Sequence, residues 1–139
     1  MYERIYSIGC FDFFHKGHIA LLETMRTYGN ELIIGIHDDS SIEQLKNLSS
    51  KQHQPIEIRL QNLKEYADRV YVIPSKDPSL FLKCMLLDTD NKENACYIRA
   101  DDMKNFPGKQ IVENKIDIKF VPYTKGVSST EIRKQLNDI

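Results

Sequence analysis

Two histidines three positions apart, His15 and His18, with Lys16 and Gly17 between them, are the residues of this chain best suited to chemistry. Imidazole gives or takes a proton near neutral pH, and the i, i+3 spacing puts both rings on one side of a helical turn. That turn should open a helix: an apolar strand-like run, Ile5-Tyr6-Ser7-Ile8, precedes it, and Ile19, Leu22 and Met25 follow at helical spacing. A helix start has backbone N–H groups without intrahelical partners and the positive end of the helix dipole, and Gly17 allows close approach. Two imidazoles and a helix N-terminus directed at one point suit an anion. Two other uses of the pair are weaker. Ordinary surface histidines need neither a second ring on the same face nor an intervening glycine. A zinc site needs further ligands, and no Cys-x-x-Cys or carboxylate-bearing motif stands at ligand spacing.

A second candidate lies near the other end of the chain. Gly126 frees the backbone for a tight turn, and after Val127 come Ser128, Ser129 and Thr130, whose hydroxyls and N–H groups at a helix start can hold phosphate oxygens. Taken alone, these residues also read as a plain N-cap box, the commoner use. Two loop carboxylates, Asp101 and Asp102, and a second acidic pair, Asp38-Asp39, would by default be solvated, the latter as a simple turn.

The elements that must position these residues follow from the apolar pattern. Strands are expected at Arg4 to Ile8, Glu31 to His37, Arg69 to Ile73, Cys96 to Arg99 and Ile116 to Val121; the second is almost continuously apolar, as a strand buried on both faces should be. Helices are expected between them. One ends near Gly29-Asn30, another runs from about Pro55 to Ala67, a third from Pro78 to Leu87 and a short fourth from Phe106 to Asn114. A last helix should start at Ser128 or Ser129, with Ile132 and Leu136 facing the core. Strand and helix in alternation is the rhythm of a parallel sheet. In such a sheet ligands bind beyond the carboxyl ends of the strands, where strand order reverses. The histidine segment, Asp38-Asp39, Asp101-Asp102 and the Gly126 segment each follow a predicted strand, so all four loops should converge on one edge.

Bulk properties set the remaining bounds. The 139 residues suit one domain with one buried sheet, and 41% hydrophobic with 28% charged residues is ordinary for a globular chain. A formal net charge of −1 provides no global basic field, so nucleic acid is not the expected partner and any anion site must be assembled locally. Cys10, Cys84 and Cys96 have no paired spacing, which fits reduced thiols. The N-terminus lacks the apolar core of a signal peptide and no run reaches membrane-spanning length, so a cytoplasmic location without membrane insertion is expected.

The run Gly9 to His18, GCFDFFHKGH, resembles the G-x-F-D-x-x-H-x-G-H signature of the cytidylyltransferase-like nucleotidyltransferases, the group that includes glycerol-3-phosphate, choline-phosphate and ethanolamine-phosphate cytidylyltransferases. The run Tyr123 to Thr130 is similar to the same family's R-T-x-G-I-S-T-T segment, in the same order along the chain. The resemblance implies an α/β fold, a Rossmann-like three-layer sandwich with a five-stranded, mainly parallel sheet, as one nucleotidyltransferase domain over residues 1–139. It implies transfer of CMP from CTP to a small phosphorylated alcohol or polyol, with release of pyrophosphate, Mg²⁺ or a similar divalent cation accompanying the triphosphate, and a homodimer.

Residue by residue, the resemblance places His15 and His18, with Lys16, on the α-phosphate. It places Gly9, Cys10, Phe11, Asp12 and Gly17 in the nucleotide loop, with Asp12 placing a metal or orienting that loop. Gly126, Val127, Ser128, Ser129 and Thr130 fall on the β- and γ-phosphates, Asp101 and Asp102 near the ribose or base, and Lys46 and Arg59 on the acceptor. One position departs: Tyr123 stands where the family has arginine, whose bidentate charge a phenol cannot imitate. That departure keeps open an adenylyltransferase using ATP on a sugar phosphate or similar molecule, and a catalytically silent nucleotide-binding domain. A receiver-type or flavodoxin-like domain shares the strand rhythm, but a receiver needs an aspartate ending its central strand, and the third run here ends in Ile73-Pro74.

Overall fold

Each of the five apolar runs becomes a strand, and together they form one sheet: β1 (Tyr2–Gly9), β2 (Gly29–His37), β3 (Arg69–Ile73), β4 (Ala95–Ala100) and β5 (Asp117–Val121). The computed structural model describes residues 1–89, 92–122 and 128–137. Strand order is β3-β2-β1-β4-β5, and every pairing is parallel. The chain steps outward from β1 through β2 to β3, then returns to the other side of β1 with β4. The reversal lies between β1 and β4, and the crevice beyond their carboxyl ends is the natural ligand position of such a sheet.

Among the described residues six α-helices accompany the sheet: α1 (Lys16–Arg26), α2 (Asp39–Lys46), α3 (Ile56–Leu63), α4 (Ser79–Asp88), α5 (Lys109–Val112) and α6 (Ser129–Asn137). Strand side chains alternate between two faces. On one face Leu22 and Met25 of α1 and Leu63 of α3 pack on Ile5, Leu32, Ile34, Cys96 and Ile98. On the other, Leu82 and Met85 of α4 and Val112 of α5 pack on Tyr6, Ile33, Ile73 and Tyr97. The sandwich is therefore three-layered, with β1, β2 and β4 shielded on both sides.

Several boundaries differ from the pattern-based expectation, each for a local reason. Thr27 caps α1, and Gly29 and Asn30 already belong to β2, because Tyr2 pairs with Gly29 and lengthens the β1–β2 ladder. The Asp38-Asp39 segment is not a solvated turn. The Asp38 carboxylate accepts from the Ser41 N–H at 2.8 Å and starts α2, which ends at Lys46 before Asn47 in the left-handed region, φ 53°. Helix α3 is shorter than Pro55 to Ala67, and only Lys109–Val112 of the Phe106 to Asn114 run is helical. In α6 Arg133 is buried along with Ser129, while Leu136 is exposed. An arginine there is an unusual core residue, and its partner lies in the site.

Candidate active site

The loop from β1 to α1 is held in a strained shape. Phe11 and Phe13 both adopt left-handed backbone conformations, φ 51° and 47°, which cost a bulky L-residue about 1–2 kcal/mol each. The surroundings fix this shape. Phe11 is buried in the core, and Asp12, 1% exposed, accepts from the Gln54 N–H at 2.8 Å and from Arg133 Nη2 at 2.7 Å. Arg133 Nε also donates to the Gln52 carbonyl at 2.7 Å, and the Ser129 hydroxyl donates to the Asp12 carbonyl. Helix α6 is thereby tied to the start of α1, and the two phosphate-type segments are brought side by side. Of the two roles open to Asp12, orienting the loop is the one its contacts serve.

At the start of α1 the histidines cap the helix. His15 is the N-cap, and its Nδ1 accepts from the Gly17 N–H at 3.0 Å; His18 Nδ1 accepts from the His15 N–H at 3.2 Å. This is a reciprocal capping box with imidazoles in place of the usual hydroxyl and carboxylate. It sets the tautomers: with each Nδ1 accepting, the proton of each neutral ring is on Nε2. The rings stack with centroids 3.9 Å apart, and Phe14 stacks on His18 at 5.4 Å. Burial lowers the pKa of His15. Burial first, then the positive charges of His15 and Lys46, bring His18 down to about 3. At neutral pH the pair therefore presents two uncharged N–H donors.

A cleft of about 460 Å³ opens at the β1/β4 reversal. Its lining includes Gly9, Cys10, Phe11, Asp12, His15, Gly17 and His18 on the α1 side, Ser128, Ser129 and Thr130 at the start of α6, Lys46 at the end of α2, and Asp102 after β4. Burial raises the Cys10 thiol pKa, so Cys10 packs as a neutral group. Three expected residues do not line it. Lys16 is turned to solvent from the first turn of α1, and Asp101 is exposed. Arg59 is fully buried behind the loop. Its guanidinium donates to the carbonyls of Gln54 (2.9 Å), Cys10 (3.0 Å) and His37 (2.7 Å) and pairs with Asp39 at 2.9 Å. With its donors so committed, Arg59 anchors the ends of β1 and β2 and does not reach an acceptor in the cleft. Gly126 and Val127, with Tyr123 and Lys125, lie outside the described residues.

Among the lining residues not named as site candidates from the sequence are His37, Lys76, Tyr97 and Arg99. His37 and Arg99 stand at or near the carboxyl ends of their strands, a position that was the available signal. His37 Nδ1 donates to the Ser75 carbonyl at 3.0 Å, and burial lowers its pKa, so its Nε2 is an acceptor. Among the described residues no three His, Cys, Asp or Glu side chains converge to hold a metal ion, and the Asp12 carboxylate is already engaged.

Residues 6–135 match the family model described as cytidylyltransferase-like. The bifunctional protein HldE of Aliarcobacter butzleri is 28% identical over 137 residues, which cover 96% of this chain and 27% of that protein. The chain thus spans about a quarter of the length of the curated relatives it matches. Among solved structures, a bifunctional NMN adenylyltransferase/ADP ribose pyrophosphatase from Francisella tularensis superimposes with a TM-score of 0.66 at 22% identity, over all of this chain and 43% of that one. A lipopolysaccharide core biosynthesis protein from Thermoplasma volcanium gives 0.63 at 20% identity, over 91% of this chain and 100% of that one. At these identities the two structures speak to the fold alone.

Proposed function

The chain belongs to the cytidylyltransferase-like family of nucleotidyltransferases, and from that membership we propose that it transfers CMP from CTP to a small phosphorylated alcohol or polyol and releases pyrophosphate. The observation that carries the reading is the pair of uncharged Nε2–H donors of His15 and His18, fixed by the capping box at the mouth of the cleft. In the proposed step an oxygen of the acceptor's phosphate forms a bond to the α-phosphorus as the bond to pyrophosphate breaks. Negative charge then builds on the non-bridging α-oxygens, where preformed donors stabilise it most. The hydroxyls of Ser128 and Thr130, at the start of α6, are suited to the departing phosphates. Lys46, close enough to lower the His18 pKa, supplies positive charge beside the reacting centre. Mg²⁺ bound to the triphosphate would neutralise it on entry. Assembly as a homodimer, drawn from the family resemblance, belongs to the same proposal and is checked by light scattering.

Adenylyl transfer from ATP is the second reading, favoured by Tyr123 in place of the arginine of the resembling cytidylyltransferases. The test measures pyrophosphate release with Mg²⁺ and either CTP or ATP, against glycerol 3-phosphate, sugar phosphates, phosphoethanolamine and phosphocholine. We expect release with one nucleotide and at least one acceptor, and a loss of about 10²–10³-fold in kcat for His18→Ala. Absence of release with every pair would refute the proposal.

A further inference from the structure

Besides Lys46, which stands near the histidines, the cleft carries unneutralised positive charge on its other side. Arg4, Arg26, Arg59, Arg69 and Arg133 each pair with a carboxylate. Arg99 pairs with none among the described residues. Its guanidinium lies over the Phe106 ring, 5.5 Å from the centroid, with Nη2 only 3.6 Å from the Met103 sulfur. Beside it, Tyr97 is fully buried and stacked on Phe106 at 4.8 Å, and the Arg99 charge opposes the burial that raises the Tyr97 pKa. Three buried polar side-chain atoms have no hydrogen-bond partner among the described residues. One, Arg69 Nε, belongs to a guanidinium already paired with Glu31. The other two, Tyr97 Oη and Arg99 Nε, belong to residues lining the cleft. A buried donor without a partner costs about 1–3 kcal/mol, more beside a charge, unless a ligand completes it.

The position of this pair separates it from the reacting centre. Tyr97 and Arg99 alternate onto the sheet face that packs on α4 and α5, with Tyr6 and Ile73, whereas the histidines stand on α1, which covers the opposite face. Lys76, in the loop before α4, adds a further cation to the lining, while among the described residues Asp102 is the one lining carboxylate besides the engaged Asp12. The Arg99–Tyr97 side thus offers donors and positive charge to an oxyanion some distance from the phosphate that reacts. Arg99 and Lys76 outnumber the single carboxylate of Asp102 here, so an oxyanion is better matched than an amine.

We infer that the acceptor carries a second anionic group, a carboxylate or a second phosphate, held by Arg99 and Tyr97 across the cleft from the histidines. This rests on the nucleotidyl-transfer reading and narrows its substrate class: acidic polyol phosphates are favoured over neutral ones, and both over phosphocholine. Matched probes test it. Glycerol 3-phosphate is compared with 3-phosphoglycerate, and glucose 1-phosphate with glucuronic acid 1-phosphate and glucose 1,6-bisphosphate. Each is scored by kcat/KM for pyrophosphate release and by calorimetric Kd in the presence of nucleotide.

The doubly anionic member of a pair should be preferred by about tenfold or more, since a hydrogen bond to a charged group is worth that factor. Arg99→Met should reduce the preference to within about threefold, Tyr97→Phe should reduce it part of the way, and Arg99→Lys should restore much of it. Carboxylate and second phosphate are told apart by which probe shows the larger gain. Equal or better use of the singly charged member, a preference unchanged in Arg99→Met, or binding of none of the probes would overturn the inference. Turnover without discrimination defeats the second anionic group alone, whereas binding with discrimination but no turnover defeats the reaction.

Discussion

Asp12 and Arg133 show how a pair of single residues can hold the shape of a site. Both are buried, and their 2.7 Å ion pair joins the strained β1–α1 loop to α6. Two carboxylate oxygens receive Arg133 and the Gln54 N–H, so the desolvation of each charge is offset by directed contacts. Removing one partner leaves the other charge buried alone. Arg133→Met should lower unfolding free energy by about 3–5 kcal/mol in urea titration, and adding Asp12→Asn to it should recover part of the loss. A single-mutant cost under about 1 kcal/mol would show that the pair is not what holds the loop. Orienting the loop was one of the two roles that the resemblance implied for Asp12, but the role of Arg133 was not legible: nothing in its spacing announces a partner more than a hundred positions away, and helical periodicity pointed to Leu136.

At the scale of elements, α2 matters most, because it delivers Lys46 to the cleft and Asp39 to Arg59. Its eight residues are too few to be stable alone, so the cap and the packing of Ile42 decide whether it forms. Asp38→Ala removes the bond to the Ser41 N–H. It should cost about 1 kcal/mol of global stability and, by loosening Lys46, raise KM for the nucleotide or the acceptor more than it lowers kcat. A fall in kcat with KM unchanged would place Lys46 in the transition state alone. The strands were readable because their apolar runs are long and uninterrupted. Helix α2 was hidden because Asp38, Asp39, Ser40 and Ser41 are also turn formers, and only the Asp38 cap bond shows which use prevails.

For the molecule as a whole, neutral buried histidines tie stability to pH. Burial, with His15 and Lys46 nearby, keeps His18 unprotonated in the fold until about pH 3, whereas the ordinary imidazole pKa is 6.5. Between those values the unfolded chain binds the proton and the folded protein does not, so stability falls as pH falls through that window. His15 and His37 are shifted in the same direction by burial and steepen the slope. Thermal unfolding should therefore give a steady Tm near about pH 7.5 and a progressive decline towards about pH 5, shallower in a His18→Asn variant. A Tm that is flat over that range, or rises on acidification, would mean that the rings are protonated in the fold. Among the described residues no helix is long and apolar enough to cross a membrane.

The amino-acid order by itself determined the architecture and the place of the site. Periodicity of apolar residues specifies strand and helix locally, and a parallel sheet sends the loops after its strands to one edge whatever their composition. The spacing of His15, Gly17 and His18 likewise specifies a helix start with two rings on one face. Tertiary structure alone decided which charges are available to a ligand. Arg59 and Arg99 look alike in sequence, each a lone arginine in an apolar context. Carbonyls from two strand ends and the carboxylate of Asp39 converge on Arg59 and satisfy it, whereas Arg99 meets an aromatic ring, a sulfur and an unpartnered phenol. Hydrogen bonding is a property of what surrounds a group in space: for Arg59 those surroundings come mainly from segments distant in sequence, and for Arg99 from Tyr97, Met103 and Phe106, which the end of β4 and the chain after it fold around the guanidinium.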